Sequence, residues 1–352
     1  MIRTFSFPAL LAMMACVFSA PAVADPGSQE NAGVTVRAGE VTLANTKRIE
    51  FVSKVNGHRY AINVAVPYGP PPPKGYGVLY VMDSDFFFAS ATEIVRGHAN
   101  APGGVVVVGI GYPNDAAWIK EVERTRGPFS PSMVDEPRAR AAQDLERAYD
   151  MTVPATDKQL AAETIPGYHP FKSQNVGGID EFLKTIETEI KPRVASLTHI
   201  DPSNQVLFGD SFGGLATLHA LFVEPNAFRT FIIGSPSIWW NNRSVLNDEP
   251  KFAAEVRAGR ANPRVIVTMG ALESSPRMFP ANWKMDPAAV KFFLHTSHMV
   301  ENGSELVASL KAIHGGKGYV VADYVEFPEL AHAIAPWPAL AWGVNFAFPI
   351  DQ

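Results

Sequence analysis

Cysteine is almost missing from this chain. The single Cys16 lies in an N-terminal apolar leader. The body of the protein therefore has no disulfide, no thiolate nucleophile and no cysteine-held metal. Basic residues are in slight deficit, 30 Lys and Arg against 35 Asp and Glu, for a formal net charge of −5. No basic stripe stands out, which argues against a nucleic-acid partner. Past the leader no apolar run is long enough to cross a bilayer, which takes about 20 residues, and no internal repeat is visible. What is present is 352 residues, 47% of them hydrophobic, enough for a sizeable core.

The leader reads MIRTFSFPALLAMMACVFSAPAVADPGS. Arg3 supplies a positive start, residues 5–19 are apolar, and Ala22-Val23-Ala24 has the small-x-small pattern of a cleavage site. The apolar stretch is short for a membrane anchor. A lipoprotein reading would want a leucine-like residue three before Cys16, where Met13 stands. The expectation is a cleaved signal peptide over residues 1–24, a catalytic domain over 25–352, and a periplasmic or secreted location without stable membrane insertion.

Residues 48–67 read as two strands around Asn56-Gly57, a hairpin signal. VLYVMD (78–83) and GVVVVGIGYP (104–113) are apolar, β-branched runs suited to strands covered on both faces. Residues 114–146 are too long and mixed for a tight connection and read as an insertion over the active face, in the manner of a lid. GGIDEFLKTIETEIKPRV (177–194) has Phe182, Leu183, Ile186 and Ile190 at helical spacing. TFIIGS, RVIVTMG and GYVVADYVEFP are further strands with helical segments between them. Alternating strands and helices predict an α/β fold with a mostly parallel sheet.

VLFGDSFGGLATLHALF (206–222) holds two signatures at once. As G-D-S it resembles the first block of the GDSL lipases; as G-x-S-x-G it resembles the nucleophile elbow of the α/β-hydrolases. The GDSL pattern wants its block near the mature N-terminus and a late Asp-x-x-His. Here the block lies past mid-chain and the late counterpart is Glu329-Leu330-Ala331-His332. The elbow reading fits a strand before Ser211, a helix after it, and Gly209 and Gly213 on either side. It makes Ser211 the nucleophile and the Phe212 N–H one oxyanion donor. A second donor is expected in MDSDFFF (82–88), from the main chain of Ser84 or Asp85.

The α/β-hydrolase order is Ser, acid, His. His58, His98, His169 and His199 precede Ser211 and fail it; His219 lies on the elbow helix; His295, His298 and His314 fall in or beside helical segments. His332 sits in a loop after the last strand and is the expected base. Glu273, after RVIVTMG, is the first choice of acid; Asp286, Glu301 or a backbone carbonyl are the alternatives.

The pieces VLYVMDSDFFF, VVVVGIGYP, RAYDMTVP, GGIDEFLKTIETEIKP, GDSFGGLATLHALF, GSPSIWWNN and the His332 loop span residues 78–348. Together they resemble the α/β-hydrolase branch that includes periplasmic siderophore-trilactone esterases. That resemblance implies the α/β-hydrolase fold, with helices flanking the sheet, and a serine ester hydrolase without metal or cofactor, acting on a small-molecule ester. It also implies Arg147 and Asp150 near the site, with Trp239 and Trp240 lining the cleft. MDSD stands where the family commonly has Asp-Gly, and about thirty extra residues follow GIGYP. An acyltransferase on the same groups, and a non-catalytic ligand-binding protein on a hydrolase scaffold, are the competing readings.

Overall fold

The structure, a computed structural model, describes residues 42–98, 104–127, 138–164, 171–279 and 285–349. The expected signal peptide and the centre of the insertion, 128–137, lie outside the described residues. Residues from Leu43 onward group into one compact unit.

The strands are β1 (Thr46–Val52), β2 (Arg59–Ala65), β3 (Tyr76–Val81), β4 (Val105–Gly111), β5 (Ile200–Asp210), β6 (Thr230–Gly234), β7 (Arg264–Gly270), β8 (Val320–Val321) and β9 (Val325–Phe327). They form one sheet in the order β1-β2-β4-β3-β5-β6-β7-β8, with β9 also on β7. β1 and β2 form the hairpin read from Asn56-Gly57, and Gly57 takes the left-handed φ of 76° that the turn needs. β2 pairs antiparallel with β4, and every pairing from β4 through β3 to β9 is parallel.

Successive side chains of a strand point to opposite faces, and here both faces are apolar. Val78, Tyr80, Leu207, Phe231, Ile233, Val265 and Val267 join one core. Leu79, Val81, Val206, Phe208, Ile232 and Ile266 join the other. The first is covered by the helix Phe212–Val223 among others; the second by the helices Ser84–Gly97 and Pro336–Ala347, through Phe87, Ala91, Leu340 and Val344. The chain thus has the α/β-hydrolase architecture.

One expectation needs correction. GYVVADYVEFP is not one strand: it breaks into β8 and β9, and Tyr324 between them donates to the Val300 carbonyl. The described start of the insertion is tied to the body of the fold. The helix Ala116–Arg126 sends Trp118 and Val122 into the core, and Trp118 stacks on Tyr112 with centroids 5.9 Å apart. Apolar anchors of that size tie the segment to the body. Among the described residues no helix is long and apolar enough to cross a membrane.

Candidate active site

The carboxyl ends of β5, β6 and β7 lie side by side, and each delivers one group. At the end of β5 the chain turns sharply at Ser211, whose φ is 60° and ψ −117°. A non-glycine residue there costs on the order of 1–3 kcal/mol and persists only where its surroundings over-determine it. They do: Ser211 N–H donates to the Gly234 carbonyl at 3.1 Å, and the Ser211 carbonyl accepts from Leu215 N–H at 2.9 Å and Ser237 N–H at 3.1 Å. Of the two glycines expected to permit the turn, Gly209 does so and Gly213 does not. A Cβ at Gly209 would lie 2.1 Å from the Gly213 carbonyl oxygen, and one at Gly214 would lie 2.2 Å from the Gly234 oxygen. One at Gly213 would only touch Asp83 Oδ2 at 3.4 Å, so Gly214 rather than Gly213 is the close-approach position.

Ser211 Oγ is 3.0 Å from His332 Nε2. The loop carrying His332 reaches this position because Gly270, ending β7, has no side chain; a Cβ there would lie 2.5 Å from the Leu330 carbonyl. That carbonyl accepts from Leu272 N–H at 3.0 Å, which ties the histidine loop to the turn Ala271–Ser274. Glu273 in that turn is fully buried, and its Oε2 is 3.4 Å from His332 Nδ1. Its other oxygen, Oε1, accepts from Ser235 Oγ at 2.6 Å and from Gly270 N–H at 3.0 Å. Ser235, just past β6, is a contributor that sequence reasoning missed; its φ of 35° marks the same kind of forced bend as Ser211.

The other acids stand apart. Asp286 caps the helix Pro287–Ser297 through Ala288 N–H, and Glu301 accepts from Ser274 Oγ; both are exposed. Glu329, the acid in the late GDSL-like block, pairs with Arg277 on the surface. His219 pairs with Asp180 on the far side of its helix.

Burial by itself would lower the basicity of His332, but the Glu273 carboxylate, seconded by Asp210, overrides it and pushes the imidazole up to about 9. A folded-state value above the ordinary 6.5 stabilises the fold fully below about pH 6.5, and that contribution fades as pH rises toward 9.

The remaining expected residues fall in different places. Phe212 opens the elbow helix, with its N–H at the helix N-terminus and its ring edge-on to Trp240 at 5.1 Å. Asp85 lies in the first turn of the helix Ser84–Gly97, exposed, and accepts from Gln143; the residue set against the elbow is Asp83, the N-cap, with φ 54°. Arg147 grips that Asp83 with two hydrogen bonds, Nε to Oδ1 at 2.9 Å and Nη2 to Oδ2 at 2.8 Å. Such a planar fork fixes a carboxylate in orientation as well as charge, so Arg147 braces the loop after β3.

Asp150, Trp240 and Trp239 do not line a cleft. Asp150 is fully buried and accepts from the Tyr112 hydroxyl at 3.1 Å. Trp240 is fully buried, and its indole N–H donates to the Val153 carbonyl at 2.9 Å. Trp239 is nearly so, packed edge-on against Phe293 at 5.4 Å. Both indoles pack against the ring of Phe212, which opens the elbow helix.

Of the chain's potential metal ligands, the described residues bring together His58, Glu146 and Asp150. Arg126 occupies that cluster: it bonds both oxygens of Glu146 at 3.0 and 3.1 Å and approaches His58 Nε2 at 2.9 Å. A guanidinium donating to Nε2 leaves the ring proton on Nδ1, facing Glu146 at 3.1 Å. The guanidinium of Arg126 thus supplies a cation between Glu146 and His58.

Residues 138–287 match the Esterase family model. The ferri-bacillibactin esterase BesA of Bacillus subtilis is 29% identical over 83% of this chain and 85% of its own. The siderophore enterobactin esterase of Emericella nidulans is 33% identical over 62% of this chain and 66% of its own. The crystal structure of the BES protein from Bacillus cereus superposes with a TM-score of 0.67 at 30% identity, covering 89% of this chain and 99% of that one.

Proposed function

Since the chain belongs to the esterase family of the α/β-hydrolases, we propose that it hydrolyses siderophore-type carboxylic esters through an acyl-enzyme on Ser211. The observation that carries this reading is the 3.0 Å contact between Ser211 Oγ and His332 Nε2 at the carboxyl edge of the sheet. In the first step Ser211 Oγ bonds to the ester carbonyl carbon while its proton passes to His332 Nε2. The tetrahedral oxyanion faces the Phe212 N–H, a donor worth on the order of 10²–10³ in rate. Collapse breaks the bond to the leaving oxygen, and His332 returns the proton to it as an alcohol. Water then attacks the acyl carbon with His332 again as base, and Ser211 is restored as the free acid departs.

The substrate class rests on the relatives, one named a siderophore enterobactin esterase and one a ferri-bacillibactin esterase, and on the surface beside His332. Ile334 and Trp337, two and five residues on, are exposed. Apolar groups at that position suit a bulky acyl or aryl portion. With the leader removed, the enzyme would act in the periplasm or outside the cell.

The test is a catecholate trilactone offered beside p-nitrophenyl acetate and butyrate, with product masses read by chromatography. Stepwise opening to linear trimer, dimer and monomer is the expected result. Cleavage of the nitrophenyl esters with an intact trilactone would remove the substrate class and leave the esterase. Labelling of Ser211 by a fluorophosphonate probe is expected in the same preparation.

The acid is tested separately. With His332 raised to about 9 in the resting enzyme, kcat/KM should climb with pH through a limb well above 6.5. In Glu273→Gln the limb should fall by about one pH unit or more, with the plateau lowered roughly 10–100-fold. A Glu273→Gln profile that overlays the wild type would dismiss Glu273 as the orienting acid.

A further inference from the structure

The elbow reading leaves Asp210, the middle residue of G-D-S, without a task. Its side chain is buried, 5% exposed, and its Oδ1 has no hydrogen-bond partner. It projects over the end of β6, where Gly234 makes room: a Cβ at Gly234 would lie 2.7 Å from Asp210 Oδ1. Residues 210 and 234 are register partners, and Gly234 in turn pairs with Thr268 of β7. The next residue after Gly234 is Ser235, which donates to Glu273. Asp210 and Glu273 thus lie at the carboxyl ends of β5 and β7, with Gly234 and Ser235 at the end of the strand between them.

His332 and Glu273 are paired loosely. At 3.4 Å the contact is an ion pair, and neither His332 Nδ1 nor Glu273 Oε2 makes a hydrogen bond. A buried carboxylate with an unpaired oxygen is costly unless a proton or a cation compensates it. Arg147, one cation that Asp210 feels, is already gripped by Asp83. His332 is the other.

We propose that Asp210 is a positioning residue for the reaction described above, a second carboxyl group that acts with Glu273 on the imidazole of His332. This rests on the esterase reading of the same site. His332 feels the charges of Glu273, Asp210 and, with opposite effect, Arg147; Asp210 feels those of His332, Glu273, Arg147 and Asp83. Burial, with Glu273 adding to it against the pull of His332, raises Asp210 to about 7. Asp210 therefore gives up its proton below the range in which His332 does, and once ionised it helps to hold the proton on the imidazole.

The test compares pH profiles of kcat/KM for the wild type, Asp210→Asn, Glu273→Gln and the double variant. Asp210→Asn keeps the shape and removes the charge. Its acid limb should lie about 0.5–1 pH unit below the wild type, with the alkaline plateau within about threefold, and the double variant should lie lower than either single one. A side chain that merely fills space would leave the limb where it was, and an Asp210→Asn profile overlaying the wild type overturns the proposal. Ring ¹⁵N–¹H spectra of His332 in the wild type supply a readout that needs no variant to fold and no turnover. Two inflections in its titration support the coupling, and a single one overturns it. Should the wild type hydrolyse no ester, the esterase reading falls while this titration still decides the role of Asp210.

Discussion

Ser211→Ala is expected to lower kcat by on the order of 10⁴–10⁶, with KM for a p-nitrophenyl ester changed by no more than about threefold. The substitution deletes one atom, and that atom is the proposed nucleophile. The Phe212 N–H, the cleft and the Glu273–His332 pair all remain, so binding survives while the covalent route is lost. Alanine meets the same unfavourable φ of 60° as serine, and the three backbone hydrogen bonds that hold the bend involve only main-chain atoms of residue 211. Thermal midpoints should therefore match, and a loss of activity is chemical rather than structural. Stopped assays at high enzyme concentration, with a mass spectrum for the trapped acyl group in the wild type, make the comparison. Comparable turnover by the two proteins would end the acyl-enzyme account.

His332→Ala should cost nearly as much, again on the order of 10⁴–10⁶ in kcat. Its signature is different. Without the imidazole, the Ser211 proton must leave to water or hydroxide, so residual activity should rise steadily with pH and show no plateau. The double variant Ser211→Ala/His332→Ala should be no slower than either single one, because nucleophile and base act as a unit. Independent, multiplying losses would mean that His332 serves something other than Ser211. Loss of His332 also unburdens Glu273, which then lies buried with only Ser235 and the Gly270 N–H as partners. A modest drop in stability, larger below neutrality than above, accompanies the loss of activity, since it is the charged imidazole that pairs with the carboxylate.

These expectations join residues 121 positions apart, and the degree to which each was legible differs for physical reasons. The strands β3 to β7 are apolar on both faces, and a run of that kind has few alternatives, so the sheet could be read directly. So could the turn at Ser211, because a glycine on each side of a serine, between a strand and a helix, is a demanding local pattern. Chain order, with the helical placement of the other late histidines, singled out His332 among nine.

Other features depend on distances that no local pattern encodes. Trp239, Trp240 and Asp150 look, in sequence, like cleft residues beside a site; in the fold they lie inside it, because an aromatic ring or a carboxylate gains more from packing or a hydrogen bond within the core than at a wet edge. The resemblance implies only that Arg147 lies near the site; Asp83, 64 positions away, takes both arms of its guanidinium. Glu273 leads Asp286 and Glu301 in the sequence only by its place after RVIVTMG, and it is the turn after β7 that brings it to the imidazole.

By itself, then, the sequence determined the parallel α/β sheet, the elbow at Ser211 and the loop carrying His332, since each follows from patterning or order along the chain. Tertiary structure alone decided which acid meets that histidine, which glycines make room, and that Asp210 shares the strand edge with Glu273. Those depend on which strand ends become neighbours across the sheet, a relation between segments that no stretch of residues contains.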